Sequence, residues 1–165
     1  MRIPIYIVRA LQLIFSVITL ALAVEVADKF SDVRELCKEA GKKECPGSVI
    51  DALGTWVTAY DYSAFAGAWG LFSVLVGLVA LFVSFIPVIA VIVVDALAAI
   101  FFVAAGGRLA SLLSDTGSCN SSSVCTKAEA TCAFAWIGFV AALVLIGLEV
   151  FRSKKEGKTV MHSTV

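Results

Sequence analysis

The sequence predicts an all-α integral membrane protein: a four-helix bundle with a short amphipathic helical segment in its first outer loop. Composition is the first reason. Of 165 residues, 60% are hydrophobic and 16% charged, against roughly 45–50% and about 25% in soluble domains. The mean hydropathy is +0.96, and a soluble chain this short could not hide so much apolar surface in its own interior. The second reason is four apolar stretches, each near the roughly 20 residues that a spanning helix needs. The third is that four of the five cysteines fall in the segments between them. Zero net charge argues against a nucleic-acid partner, which selects a basic domain.

Helix one is expected over about 3–24, interrupted by Arg9. A cleavable signal peptide competes for this segment: Arg2 and Arg9 as its basic region, Ala10 to Leu22 as its apolar region, and Ala21-Leu22-Ala23 as a cleavage site. The expectation is a retained helix. Helix two is expected over about 62–83, helix three over about 87–112 with Asp95 inside it, and helix four over about 128–151. Only Ser84-Phe85-Ile86-Pro87 separates helices two and three, which makes them a tight antiparallel hairpin. Pro87 suits a first helical turn, because its missing N–H would lack an intrahelical partner anyway. Residues 152–165 form a basic cytosolic tail.

The outer loops are expected at 25–61 and 113–127. In the first, Ser31 to Lys43 are good helix formers, with Asp32 available as an N-cap and Gly41 as a stop. After Pro46 and Gly47, Val49, Ile50, Leu53, Trp56 and Val57 recur at helical spacing. A short amphipathic helix lying on the outer surface accounts for this. Trp56, Tyr60 and Tyr62 look like an interfacial aromatic belt.

Orientation rests on the cysteines. With both termini cytosolic, Arg2, Arg9, Arg152, Lys154, Lys155 and Lys158 lie inside. Lys29, Arg34, Lys38, Lys42, Lys43, Arg108 and Lys127 lie outside. That balance favours neither side under the positive-inside rule. Cys37 and Cys45 in one loop, and Cys119 and Cys125 in the other, suit two local disulfides in an oxidising compartment. Each ring is short and costs little entropy to close, and Cys132 is left as a packed free thiol. Pairing between the loops is the alternative. The spacings are too wide for a zinc ribbon, and no metal is expected. Asn120-Ser121-Ser122 is a glycosylation sequon, although its place beside the membrane and inside the expected ring works against occupancy.

Charges at membrane depth are expensive and normally have a partner or a task. Arg9, Asp95 and Glu149 all fall in the cytosolic third of the bilayer at 1.5 Å per residue, where they could share one network. Arg9, Gln12, Ser16 and Thr19 are spaced i, i+3, i+7 and i+10, which is one helical face. Arg9 and Asp95 are expected to approach closely or to share Gln12. The functional reading is a proton or ion path; the structural one is interhelical glue. Helices two and four offer few polar groups at mid-depth, so glue is favoured, and Glu149 can snorkel beside Arg152.

Catalytic machinery is missing from the pattern. His162 stands near the end of the tail, no phosphate loop occurs, and Gly106-Gly107 is explained by close packing. No cofactor is expected beyond bound lipids. Arg152, Lys154, Lys155 and Lys158 can contact anionic headgroups at about 1 kcal/mol per base. Ser163-Thr164-Val165 matches a PDZ-type terminus, but three residues match easily by chance. Small residues crowd helices two, three and four, among them Gly67, Gly70, Gly77, Ala104, Gly107, Gly138 and Gly147. Such residues let helices approach closely in lipid.

Several segments together resemble the MARVEL (membrane-associating) domain family, most closely its small fungal members. They are Arg9-Ala-Leu-Gln-Leu-Ile-Phe in helix one, Asp95-Ala-Leu-Ala-Ala-Ile-Phe-Phe-Val-Ala-Ala in helix three, Ala133-Phe-Ala-Trp-Ile-Gly-Phe in helix four, and Cys119 with Cys125. The first outer loop is longer and richer in cysteine than that pattern. The resemblance implies a non-enzymatic role in organising plasma-membrane or vesicle domains, lipid-linked sorting and scaffolding. It supplies neither a ligand nor a reaction. The expected partners are membrane lipids and other copies of the chain or other membrane proteins. A small channel or transporter built on Arg9 and Asp95, or an accessory subunit of a larger complex, is the alternative.

Overall fold

Each apolar stretch lies within one long helix of the computed structural model, which describes residues 2–40, 46–82, 87–115 and 123–162. The helices are α1 (Arg2–Ala40), α2 (Gly47–Phe82), α3 (Val88–Asp115) and α4 (Ser123–His162), and no strand occurs among the described residues. All four are long and apolar enough to cross a membrane, and the chain is an integral, multi-pass membrane protein. Large apolar side chains such as Ile14, Leu75, Ile100 and Val140 are exposed on all four helices, as a lipid-facing surface requires.

The helices pack as a ring, α1 on α2, α2 on α3, α3 on α4 and α4 back on α1. Across one diagonal α2 and α4 touch slightly; across the other, α1 and α3 have no close backbone approach. The start of α1, the end of α2, the start of α3 and the end of α4 share one end, called here the terminal end. The opposite end, which carries the longer connections, is the loop end.

The first outer segment differs from the expectation. No separate helix starts at Asp32: α1 runs unbroken to Ala40. Residues 25–40 contain neither Gly nor Pro, and a helix already running extends more easily than a new one nucleates. The Ser31 hydroxyl donates back to the Asp28 carbonyl at 2.8 Å, so it does not compete for the backbone. On the other arm of this hairpin, the Pro46 carbonyl accepts from the Val49 N–H at 2.9 Å, and α2 begins at Gly47. The segment expected as a short amphipathic helix lying on the outer surface is instead the first turns of this one continuous helix to Phe82, with no break to separate it. The 39 residues of α1 measure roughly 58 Å at 1.5 Å per residue, nearly twice the roughly 30 Å hydrocarbon core. Both helices therefore continue past the loop-end surface as a paired extension. At the terminal end, Pro87 immediately precedes α3, and its carbonyl accepts from the Ala90 N–H at 2.9 Å.

Trp56 and Tyr60 do not form an outward belt. They lie one turn apart on α2 and stack on Phe30 of α1, with centroid separations of 5.8 Å to Trp56 and 5.9 Å to Tyr60. Tyr60 is fully buried. With Ala23, Val26, Ala27, Leu109 and Ala128 they make the loop-end core. The mid-bundle core is built around Phe102, with Ala66, Ala98, Ala105 and Ala135. Its ring enters glycine sockets on both flanking helices: a Cβ on Gly70 would lie 2.8 Å from Phe102 Cζ, and one on Gly138 would lie 3.0 Å from Phe102 Cε1.

Candidate functional site: a buried intramembrane ion pair

Arg9 lies two turns into α1, and Asp95 lies two turns into α3. Both start from the terminal end, so the two residues meet at the same depth. Their helices are diagonal, and the pair forms only because the arginine side chain is long enough to cross the centre. Arg9 Nη1 donates to Asp95 Oδ1 at 2.7 Å and Nη2 to Oδ2 at 2.6 Å. This is the two-pronged geometry that a guanidinium and a carboxylate share, and it is among the stronger hydrogen-bonded pairings. Arg9 is 1% exposed and Asp95 0%.

α2 supplies the rest of the cradle. The Ser73 hydroxyl donates to Asp95 Oδ1, and the Ser73 carbonyl lies 3.5 Å from Arg9 Nη1 as an acceptor. One turn further, a Cβ on Gly77 would overlap the Arg9 guanidinium; the absence of a side chain there is what gives the arginine passage. Gln12 meets Arg9, its Oε1 accepting from Nη1 at 3.4 Å, and among the described residues it makes no hydrogen bond to Asp95.

Ser73 and Gly77 stand out in the sequence only as small residues. A further signal exists: Ser73 is the sole polar side chain between Trp69 and Phe82.

Glu149 stands apart. It is 4% exposed, and Arg152 of the next turn approaches it at 3.9 Å. No hydrogen bond or ion pair among the described residues joins it to Arg9 or Asp95. Arg152 is half-buried and Lys154 exposed, while the side chains of Lys155 and Lys158 lie outside the described residues. Cys45, Cys119 and Asn120 also lie outside them, as does the side chain of Cys125, so the expected pairings of Cys37 with Cys45 and of Cys119 with Cys125 stay proposals. Cys132 is a free thiol that approaches the Gly106 carbonyl at 3.5 Å, between α4 and α3.

Gln12, Ser16 and Thr19 are fully buried beyond the ion pair on α1, toward the loop end. Among the described residues, Gln12 Nε2, Ser16 Oγ, Thr19 Oγ1 and Arg9 Nε have no hydrogen-bond partner. Burying an unpartnered polar group costs roughly 1–3 kcal/mol. The surroundings are close-packed: a Cβ on Gly70 would overlap Ser16 Oγ, and one on Gly67 would lie 2.9 Å from the Leu20 backbone nitrogen. Among the described residues no cluster of three or more His, Cys, Asp or Glu side chains could hold a metal ion. Chemically, the site can bind two helices across a diagonal, and Asp95 is the one acid that meets Arg9 among the described residues.

A family model described as a membrane-associating domain, MARVEL, matches residues 1–148. No curated protein and no solved structure matches the chain. Four spanning helices, with a family match that covers all but the last part of α4 and the residues after it, carry the conclusion beyond resemblance: the chain belongs to the MARVEL, membrane-associating, domain family.

Proposed function

We propose that the protein is a non-enzymatic membrane organiser, associating laterally with itself, with lipids or with other membrane proteins in plasma-membrane or secretory and endosomal vesicle domains, with both termini cytosolic. One contrast carries the reading. The buried charges of Arg9 and Asp95 satisfy each other inside the bundle, while close-approach residues are left on its outside. Gly107 of α3 and Gly147 of α4 face open space: a Cβ added at either would meet nothing within 4 Å. Ala104 and Ala110, on either side of Gly107, are exposed as well. In lipid, such small surfaces let a second helix approach closely.

Crosslinking in native membranes and mass measurement in nanodiscs test this. Oligomers or a stably retained partner are expected, weakened by Gly107→Leu, a change the bundle itself has room for. A strictly monomeric particle under mild extraction overturns the reading. Co-purification at fixed stoichiometry with a different protein would make the chain an accessory subunit instead.

The unpartnered groups of Gln12, Ser16 and Thr19 favour a second reading, a small channel or transporter, because a polar column at membrane depth is costly to keep. The tight glycine contacts around the column weigh against an open passage. Ion or proton flux in liposomes that vanishes in Asp95→Asn would establish this reading, and its absence would remove it.

A further inference from the structure

At the loop end a cleft of about 630 Å³ opens between α1, α2 and α3, bordered by Arg34, Asp51, Gly54, Thr58, Tyr62 and Arg108. Its two arginines are unlike the others whose side chains are described. Arg9 meets Asp95, and Arg152 meets Glu149. Among the described residues, neither Arg34 nor Arg108 has a side-chain hydrogen bond or ion pair. The Arg34 Nε is buried without a partner, and Arg108 is exposed. The Thr58 hydroxyl is already committed to the Gly54 carbonyl at 2.9 Å. The charged groups of the cleft are thus two guanidiniums and the Asp51 carboxylate, a net positive site.

Depth decides what can reach it. Arg108 is 13 positions along α3 from Asp95, about 20 Å toward the loop end at 1.5 Å per residue. From Pro87 to Arg108 the rise is about 31 Å, the thickness of the hydrocarbon core. Arg108 therefore stands at headgroup level, and Arg34 reaches the same cleft from the extension of α1.

From this cleft an aromatic track descends into the bilayer. Tyr62 borders the cleft and opens the series Tyr62, Phe65, Trp69 and Phe72, one face of α2. Phe101 of α3 meets Phe65 at 5.1 Å and Trp69 at 5.4 Å between ring centroids. Phe65 and Phe72 are each 47% exposed, so the track faces lipid along its length.

We propose that the cleft and track together bind an anionic phospholipid of the loop-end leaflet, the headgroup phosphate held by Arg34 and Arg108 and one acyl chain lying along Tyr62 to Phe72. Guanidiniums recognise phosphate oxygens by charge-assisted, often paired hydrogen bonds. Asp51 borders the same space and accepts from a headgroup hydroxyl or ammonium, which favours headgroups that carry such donors. The apolar track is what makes the ligand a lipid and not a soluble phosphate. This site lies at the opposite end of the bundle from the basic tail and does not depend on self-association.

Native mass spectrometry of the full chain, extracted mildly and titrated with phosphatidylinositol or phosphatidylcholine, tests the proposal. Preferential retention of phosphatidylinositol is expected, and equal retention of the two overturns it. Arg34→Gln with Arg108→Gln should weaken that preference by about fivefold per arginine, whereas Lys29→Gln, at the same end but paired with Glu25 and outside the cleft, should leave it intact. A double variant that folds and keeps the full preference overturns the assignment of the arginines. Glycerophosphate, a soluble headgroup, should compete poorly. Displacement of the lipid by glycerophosphate at matched concentration would show a plain phosphate site and overturn the lipid reading.

Discussion

The two ends of the bundle hold their helices together by opposite means. At the terminal end the contact across the centre is ionic: Arg9 and Asp95, fully buried and hydrogen-bonded on both oxygens, with Ser73 adding a third donor. At the loop end it is aromatic and aliphatic: Phe30, Trp56 and Tyr60 stack, and Leu109 and Ala128 close the core. Charges at that end stay at the surface, where Lys127 and Lys29 both reach Glu25, or line the cleft without an acid of their own, as do Arg34 and Arg108. The difference follows the solvent. Where no water can reach, a charge is tolerable only with its bonding capacity largely met. Where helices project beyond the bilayer, apolar burial again drives packing, and charges can be left to water or to a ligand.

The largest effect that breaks this contrast is expected at Asp95. Asp95→Ala leaves Arg9 charged and buried without its acid, which costs about 3–5 kcal/mol. A sharp fall in folded yield and in the melting temperature of the detergent-extracted protein is the expected readout. Arg9→Ala combined with Asp95→Ala should recover part of the loss. If the double variant lost simply the sum of the two single losses, the pair would contribute no coupling.

Gly77→Ala comes next. A methyl group there would overlap the Arg9 guanidinium, and overpacking of this kind costs about 1–3 kcal/mol. Gly147→Ala, facing open space, is the matched control and should leave the melting temperature unchanged or slightly raised, since alanine favours a helix over glycine by up to about 1 kcal/mol. Equal effects at the two glycines would mean that helix propensity, not passage of the arginine, explains Gly77.

At the loop end the polar atom is expendable. The Tyr60 hydroxyl is buried with no partner among the described residues, so Tyr60→Phe keeps the stack and sheds a desolvated group. Thermal unfolding should show stability unchanged or raised by up to about 1 kcal/mol. A clear loss would reveal a water or ligand bonded to that hydroxyl. The smallest effect is expected at Glu25→Gln: its ion pairs with Lys29 and Lys127 are at the surface and screened by salt. No shift in melting temperature at moderate salt is expected, and a shift that grows as salt is lowered would still fit. A salt-independent loss would not.

Much of this was legible in the chain itself. The four apolar stretches named the four helices, because in lipid a spanning segment must satisfy its own backbone hydrogen bonds and every polar side chain is costly. The same cost singled out Arg9 and Asp95, and counting residues from Pro87 and from the start of helix one placed them at one depth. The persistence of α1 through Glu25–Ala40 was harder, since Asp32 looks like a cap until the helix is seen to be running already.

What the sequence determined by itself is therefore one-dimensional: which segments span, how deep each charge sits, and which face of α1 is polar. The tertiary structure decided the rest. It placed α1 and α3 on a diagonal, so that Arg9 needs the gap left by Gly77 and the hydroxyl of Ser73. It left Glu149 with Arg152 instead of the central pair, and it brought Arg34 and Arg108 to one cleft although 74 positions separate them. The reason is physical. Depth follows from helical rise along a single chain, whereas azimuth around the bundle depends on how four helices interlock their small and large side chains. That fit is a property of all four surfaces at once.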